Sequence, residues 1–222
     1  MPRPIVSSPA TPSELLTSIL TYHTHPTTLL ISWPRQQFLD ALVRDIDQQQ
    51  LPPPASQDTD DAASPNHPLL KATLMQVAVS RHIRIIFVPT ITHLRAYLAT
   101  FSAAESRIPP PPNLRPSGVA PLLLVYGFLE LHRDGSEWSA QGLNTSAAGF
   151  VESAARNGFR AVIVEPRRTD ADDELRKALG ENLPVLSGSM KRDDGSWSGR
   201  TVPIQRVLAR WFEFESHKDL SR

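Results

Sequence analysis

One stretch, Pro121 to Pro166, constrains the fold more than any other part of the chain. Leu122–Val125 is an uninterrupted apolar run of strand length, and Gly127, Phe128, Leu129 and Leu131 continue from it. A polar loop, Arg133 to Gln141, follows. Leu143, Ala147, Phe150, Val151 and Ala154 then recur at helical spacing, so their side chains fall on one face. Gly158 is placed to end that helix in the left-handed conformation that glycine tolerates. Ala161–Val164 is a second apolar strand, stopped by Pro166. Strands without polar alternation are buried on both faces, and two of them joined through a helix make a parallel βαβ unit.

The rest of the chain repeats this alternation. Thr11-Pro12-Ser13-Glu14 has the composition of a capping box with proline at the first helical position, and Leu15, Leu16, Ile19 and Leu20 give the helix an apolar side. Thr27–Ser32 reads as a strand. After Pro34, Phe38, Leu39, Leu42, Val43 and Ile46 mark a helix. His67–Ser80 reads as a helix with Leu70, Leu74 and Val77 on one face, Ile83–Val88 as a buried strand, and Thr90–Phe101 as a helix carrying Leu94, Tyr97, Leu98 and Phe101. Arg167–Gly199 is long and polar, with a short helix expected at Ala171–Leu179, an extended piece at Leu183–Leu186 and an exposed loop or hairpin tip near its end. In Ile204–Glu215 the apolar residues alternate, which predicts an edge or half-covered strand. The fold class expected is α/β: a mainly parallel sheet with helices on both faces.

With 222 residues and 40% hydrophobic content, one domain over 1–222 with a substantial core is expected. The 21 prolines gather between the folded elements, and two Pro-rich inserts, about 48–66 and about 102–120, read as flexible connections. The 23 basic and 23 acidic residues cancel, so any affinity for nucleic acid must come from a local patch. The absence of cysteine excludes disulfides, iron–sulfur clusters and thiol nucleophiles, and fits an intracellular protein. No apolar run reaches transmembrane length, and the proline-cut N-terminus lacks a signal core, so neither a membrane nor secretion is expected.

The chemistry-bearing motifs are sparse. A phosphate-binding loop needs glycines and a Lys-Ser/Thr pair between strand and helix. The first strand–helix junction legible in the sequence is Ser32-Trp33-Pro34-Arg35-Gln36-Gln37, which has neither. The strand Leu122–Val125 ends in Tyr126, which cannot stand in for a Mg²⁺-supporting carboxylate at neutral pH, and Glu130 lies past that position. Glu165 ends the next strand and is the best single candidate for a functional acid, against the simpler role of a carboxylate satisfied by nearby backbone or by an arginine. His132 has Asp134 and Ser136 near it in sequence, which does not make a triad. His23 and His25 lack further ligands. No cofactor or metal is expected.

For nucleic acid, the region after Glu165 balances seven basic against seven acidic residues. The candidate contacts are Arg167 and Arg168, then Lys191, Arg192, Trp197 and Arg200, where cationic side chains beside an aromatic could hold a single strand by charge and stacking. A solvated loop is the competing reading. For partners, Trp211, Phe212 and Phe214 on an edge strand would make an interface unless this domain's own helices cover them.

The segment from Leu122 to Pro166 resembles the Walker-B region of RecA-like recombinases: an apolar strand, a loop, a helix opening at Ser139-Ala140-Gln141, and a strand ending at Glu165. Gly199-Arg200, Arg206 and Leu208 loosely match that family's later turn and strand. The resemblance implies a RecA-like core, P-loop-NTPase-like but lacking the P-loop, and hence a pseudo-ATPase. Small ATPase-dead members of this superfamily are similar to subunits of the Shu complex, which assists recombination. By that resemblance the expectation is a non-catalytic recombination or DNA-repair accessory subunit in the nucleus. It would be paired with another RecA-like paralogue in a hetero-oligomer, with DNA contacts in Arg133–Gln141 and Arg167–Arg200. Two alternatives stand beside it: an ATPase-dead RecA-like scaffold of Elongator, and a small α/β hydrolase or transferase using Glu165.

Overall fold

A computed structural model of the chain describes residues 2–22, 26–50, 67–105, 120–133, 135–168, 174–186, 190–191 and 197–215. In chain order these form β1 (Ile5–Val6), α1 (Pro12–Tyr22), β2 (Thr27–Ile31), α2 (Arg35–Gln50), a 3₁₀ turn (Pro68–Leu70), α3 (Leu74–Ser80), β3 (Ile83–Phe87) and α4 (Ile91–Thr100). After a second 3₁₀ turn (Ala103–Glu105) come β4 (Leu122–Tyr126), α5 (Phe128–Arg133), α6 (Ala140–Arg156) and β5 (Arg160–Val164). Next are α7 (Glu174–Gly180), β6 (Asn182–Pro184), β7 (Met190–Lys191), β8 (Trp197–Ser198), β9 (Thr201–Pro203), α8 (Ile204–Leu208) and β10 (Glu213–Phe214).

Six strands form one sheet in the order β10-β1-β5-β4-β2-β3, and every pair in it is parallel. Two small antiparallel pairs, β6 with β9 and β7 with β8, lie outside it. On one face Leu30, Leu123, Val125, Ile163 and Val6 meet Leu94 and Leu98 of α4, Phe128 and Leu129 of α5, Leu143, Ala147 and Phe150 of α6, and α8. On the other, Leu29, Ile31, Leu124, Tyr126, Val162 and Val164 meet Leu15 and Ile19 of α1 and Phe38 of α2. Burial on both faces is the physical reason the central strands carry no polar alternation. Among the described residues no helix is long and apolar enough to cross a membrane.

The parallel α/β architecture with helices on both faces agrees with the sequence, and five local expectations need correction. The chain does not continue extended after Tyr126. Gly127 turns it at φ +82°, and Phe128–Arg133 is helical, so Phe128 and Leu129 are buried from a helix. Ile204–Glu215 is not one strand. Pro203 opens a short helix that buries Ile204, Val207 and Leu208 at i, i+3, i+4 spacing, and only Glu213–Phe214 pairs as a strand, with β1. His67–Ser80 is not one helix either. A 3₁₀ turn and α3 are separated at Ala72 (φ 41°), and the Leu70, Leu74, Val77 side points to solvent. The strand at Ile83 is not a buried one: it forms the sheet edge, and Arg84 and Ile85 are exposed. Finally, β1 lies among prolines and carries no strand signal in the sequence, yet it pairs on both sides inside the sheet. The expectations on 51–66 and 106–119, and on His23 and His25, lie outside the described residues.

Gly127 is a tight backbone position with positive φ. A Cβ added there would sit 2.3 Å from Ser32 Oγ, in a backbone conformation that L-residues rarely adopt. Gly127→Ala is expected to destabilise the fold by about 2–4 kcal/mol, combining left-handed strain with displacement of Ser32. Gly158 also has positive φ (+73°) but open space around its Cβ position, so Gly158→Ala should cost about 1 kcal/mol. Urea unfolding of both variants checks the difference. Equal losses would show that the Ser32 contact does not matter.

Candidate functional site

In an open parallel sheet, ligands bind at the carboxyl ends of strands where connections from neighbouring strands leave to opposite faces. This sheet has three such places, the third between β2 and edge strand β3, which leads to α4 on the face opposite α2. β1 leads to α1 on one face, while its neighbour β5 leads to α7 on the other. Likewise β2 leads to α2, while its neighbour β4 leads to α5 on the opposite face.

The crevice between β1 and β5 is closed by backbone pairing. Ser7 N–H donates to Ile163 O (2.8 Å), Ala10 N–H to Glu165 O (3.1 Å), and Arg167 N–H to Ala10 O (3.1 Å). The loop Ser7–Thr11 thus lies against the end of β5 as a short continuation of the sheet, with Ala10 bridged to Pro166. Pro9 and Pro12 have no N–H to offer a phosphate. Thr11 and Glu14 satisfy the start of α1: Thr11 N–H donates to Glu14 Oε2 (2.9 Å), and Glu14 also pairs with Arg167.

The crevice between β2 and β4 is closed by side chains. Ser32 Oγ lies 2.7 Å and 2.8 Å from the carbonyl oxygens of Tyr126 and Gly127 and shares its proton between them. The Trp33 indole N–H donates to Glu130 Oε2 at 2.8 Å, and Glu130 pairs through its other oxygen with Arg168. The Trp33 ring meets Tyr126 edge-on at 5.4 Å, and Phe38 meets Tyr126 at 5.9 Å and Trp33 at 6.5 Å. Tyr126 is fully buried, and its hydroxyl donates across to Ala10 O at 3.0 Å, tying the two crevices together.

Glu165 is drawn into this packing. Its Oε1 accepts the Leu129 N–H at 2.8 Å, at the amino end of α5, where a carboxylate offsets unsatisfied backbone donors. Burial pushes its pKa up to about 8, with the neighbouring Glu130 charge adding to the rise, while the backbone N–H groups of α5 and Arg133 oppose it. Of the simpler roles expected from the sequence, backbone or an arginine as partner, the structure shows the backbone one, the Leu129 N–H.

His132 does not face Glu165. Its ring is fully buried between α5 and α6. Nδ1–H donates to Phe128 O (2.8 Å), and Nε2 accepts from the Ser146 hydroxyl (2.9 Å). Ser146 Oγ accepts in turn from Arg95 Nε (3.0 Å), and Arg95 also reaches Glu137 (2.7 Å) and Gly142 O (3.0 Å). Burial is the main cause that lowers the His132 pKa to about 4, and the nearby Arg95 charge acts in the same direction. A neutral imidazole with both nitrogens bonded inside a helix interface joins α4, α5 and α6. A Ser–His pair sealed this way has no route to a substrate.

Three of the candidate nucleic-acid residues are held by carboxylates. Arg133 is paired with Glu181 at 2.8 Å and lies over the Trp138 ring; Arg167 is paired with Glu14, and Arg168 with Glu130. Arg200 is exposed and has no carboxylate within ion-pair distance among the described residues. Lys191 and Trp197 sit on the two strands of a β7–β8 hairpin, directly paired in register, in keeping with the hairpin tip expected there. Arg192 lies outside the described residues. Ser139 caps α6 by accepting the Gly142 N–H at 3.0 Å, and Gln141 accepts the Leu186 N–H at 2.9 Å.

The aromatic cluster near the C-terminus is taken up by the domain itself. Phe212 is only 4% exposed and packs on Phe150 at 6.0 Å, Trp211 Nε1–H donates to Asn144 Oδ1 at 3.0 Å, and Phe214 rests against the core. Phe212 is thus a core residue and Trp211 and Phe214 are partly covered, while β10 is an edge strand of the sheet, as expected of this segment. Among the described residues no group of three metal-binding side chains converges. A cavity of about 300 Å³ opens at the amino ends of β2 and β3, beside Thr27, Thr28, Arg81, Arg84, Phe101 and Phe159, away from both crevices.

The fold and these filled crevices define a parallel α/β domain in which two of the usual ligand positions, at β1–β5 and β2–β4, are occupied by its own side chains and backbone. No family model, curated protein or solved structure matches the chain.

Proposed function

We propose that this is a non-catalytic, RecA-like scaffold, a pseudo-ATPase that serves as a subunit of a nuclear recombination or repair accessory complex and works through protein contacts and DNA. One observation carries the reading: the β1–β5 and β2–β4 crevices at the carboxyl ends of the strands are closed by bonded groups of the chain itself, with Trp33, Tyr126 and the Ser7–Thr11 loop at their centres. Opening them would break the Trp33–Glu130 and Tyr126–Ala10 hydrogen bonds and an aromatic cluster, a cost that nucleotide binding would have to offset. The resemblance of the Leu122–Pro166 segment to the Walker-B region supports the RecA-like form. Tyr126 at the strand end, and prolines in the loop after β1, support the loss of hydrolysis.

Thermal unfolding with and without saturating Mg-ATP tests the reading. No change in Tm is expected. A concentration-dependent rise, the signature of a ligand bound to the native state, would overturn it. The DNA arm is read from binding across a salt series. Arg133, Arg167 and Arg168 are already held by carboxylates, so phosphate contacts are expected from Lys191, Arg192 and Arg200. Replacing these three by Ala should flatten the salt slope by about one per lost phosphate contact, and Arg168→Ala should leave it nearly unchanged. An unchanged slope in the triple variant would remove DNA from the proposal.

A further inference from the structure

Eight large hydrophobic side chains are exposed among the described residues, and seven of them fall between Leu39 and Ile85: Leu39 and Val43 on α2, Leu70, then Leu74, Met75 and Val77 on α3, and Ile85 on edge strand β3. The helix α3 is the extreme case. Its sequence, LMQVAVS, has no charged residue, yet Leu74 is 90% and Met75 68% exposed, and only Val79 is buried. A helix that is apolar on most of its surface is ordinarily an interior helix. A seven-residue helix is also too short to persist on its own propensity. Here it is held by a reciprocal capping box, Thr73 Oγ1 accepting the Gln76 N–H and Gln76 Oε1 the Thr73 N–H, and by Gln76 Nε2–H donating to Pro68 O at 2.8 Å. Its shape is thus set before anything covers it, and its apolar side chains are presented outward.

Along the sequence, the charge flanking α3 has one sign. From His67 to Ala104 the chain has no Asp or Glu, while Lys71, Arg81, Arg84 and Arg95 are all present. Arg84 and Arg95 are neutralised by Glu105 and Glu137. Lys71 and Arg81, at the two ends of α3, are exposed and have no ion-pair partner among the described residues. A second copy of the chain docked α3 against α3 would bring like charges together. We infer that α3 is a docking helix, and that its occupant is a different protein offering an apolar groove for Leu74, Met75 and Val77 rimmed by carboxylates for Lys71 and Arg81. This rests on the scaffold reading for its purpose and adds a place where the partner binds, on the opposite side of the sheet from the C-terminal aromatics.

The test uses the full chain carrying a photo-reactive benzoylphenylalanine in place of Leu74, irradiated in extracts of cells that express the protein. The same probe in place of Leu186, the eighth exposed hydrophobic, is the control. The expected result is one discrete adduct to another protein from position 74 and none at that mass from position 186. Its yield should fall about tenfold in the Lys71→Glu/Arg81→Glu background, as for loss of a complementary rim at a docking site. Adducts confined to the chain itself, within one copy or between two, would overturn the inference. So would matching adducts at both positions, no adduct, or a yield indifferent to the charge reversal. ATP-dependent stabilisation would sink the scaffold reading while leaving this result standing, so the two failures are distinguishable.

Discussion

Replacing Tyr126 by Asp, which would place a carboxylate at the end of β4, is expected to cost the fold about 4 kcal/mol or more and to create no ATP binding. The tyrosine is fully buried, packs edge-on against Trp33 and Phe38, and donates its hydroxyl proton to Ala10 O. Burial first, then the charges of Glu130, Glu165, Asp45 and Glu14, push the Tyr126 hydroxyl pKa upward, which means the position is hostile to negative charge. An aspartate there would lose the ring contacts, leave Ala10 O without its donor, and add a like charge to an acidic neighbourhood. Tyr126→Phe keeps the ring and loses only the hydrogen bond, so its cost should be about 1 kcal/mol. Urea unfolding of both variants supplies the measurement. A Tyr126→Asp protein with a wild-type midpoint would show that this crevice is open to a metal-binding carboxylate after all.

The stability of the protein should pass through a maximum near pH 5–6, because two buried groups pull in opposite directions. Glu165 has a folded pKa of about 8 against an ordinary 4.5. Its folded pKa is raised, so the unfolded chain releases the proton first. The contribution is complete below pH 4.5 and is lost as pH rises through 8. His132 has a folded pKa of about 4 against 6.5. Its folded pKa is depressed, so the unfolded chain takes up the proton first. That contribution is complete above pH 6.5 and is lost as pH falls through 4. Each limb amounts to a few kcal/mol at most, because a tenfold change in proton affinity corresponds to roughly 1.4 kcal/mol. Glu165→Gln should flatten the alkaline limb alone, and His132→Gln the acid limb alone. Denaturant midpoints between pH 4 and 8.5 read both, and a profile that Glu165→Gln leaves unchanged would mean that Glu165 is ionised in the native state.

How legible the molecule is from its sequence depends on whether a residue's environment is local. Phe150 and Leu143 are readable as core because helical periodicity places them on one face, and α6 buries that face. Thr11 and Glu14 are readable as a capping pair because their partner atoms lie three residues apart. Leu70, Leu74 and Val77 have the same periodic signature, yet they face solvent. Periodicity says which side chains share a face, not whether anything lies opposite it. Alternation in Ile204–Glu215 misleads for a related reason: Ile204, Val207 and Leu208 also satisfy a helical pattern, and Pro203 at the amino end starts it. The two-residue β1 is too short to carry a periodic signal. The loop that occupies the β1–β5 crevice is therefore hidden in the sequence, where Ser32–Gln37 stands out as the first strand–helix junction.

Periodicity, capping and residue chemistry act over a few residues. They are enough to establish the parallel α/β class, most helix and strand positions, and the missing glycines, lysine and aspartate of a nucleotide site. Other features emerge only in three dimensions: β1 lies inside the sheet, Tyr126 reaches Ala10 across 116 positions of sequence, Glu165 serves the start of α5, and Phe212 is core while Leu74 is surface. Each of those depends on which distant segments share a face or an edge, and parallel pairing joins strands that the chain itself keeps far apart.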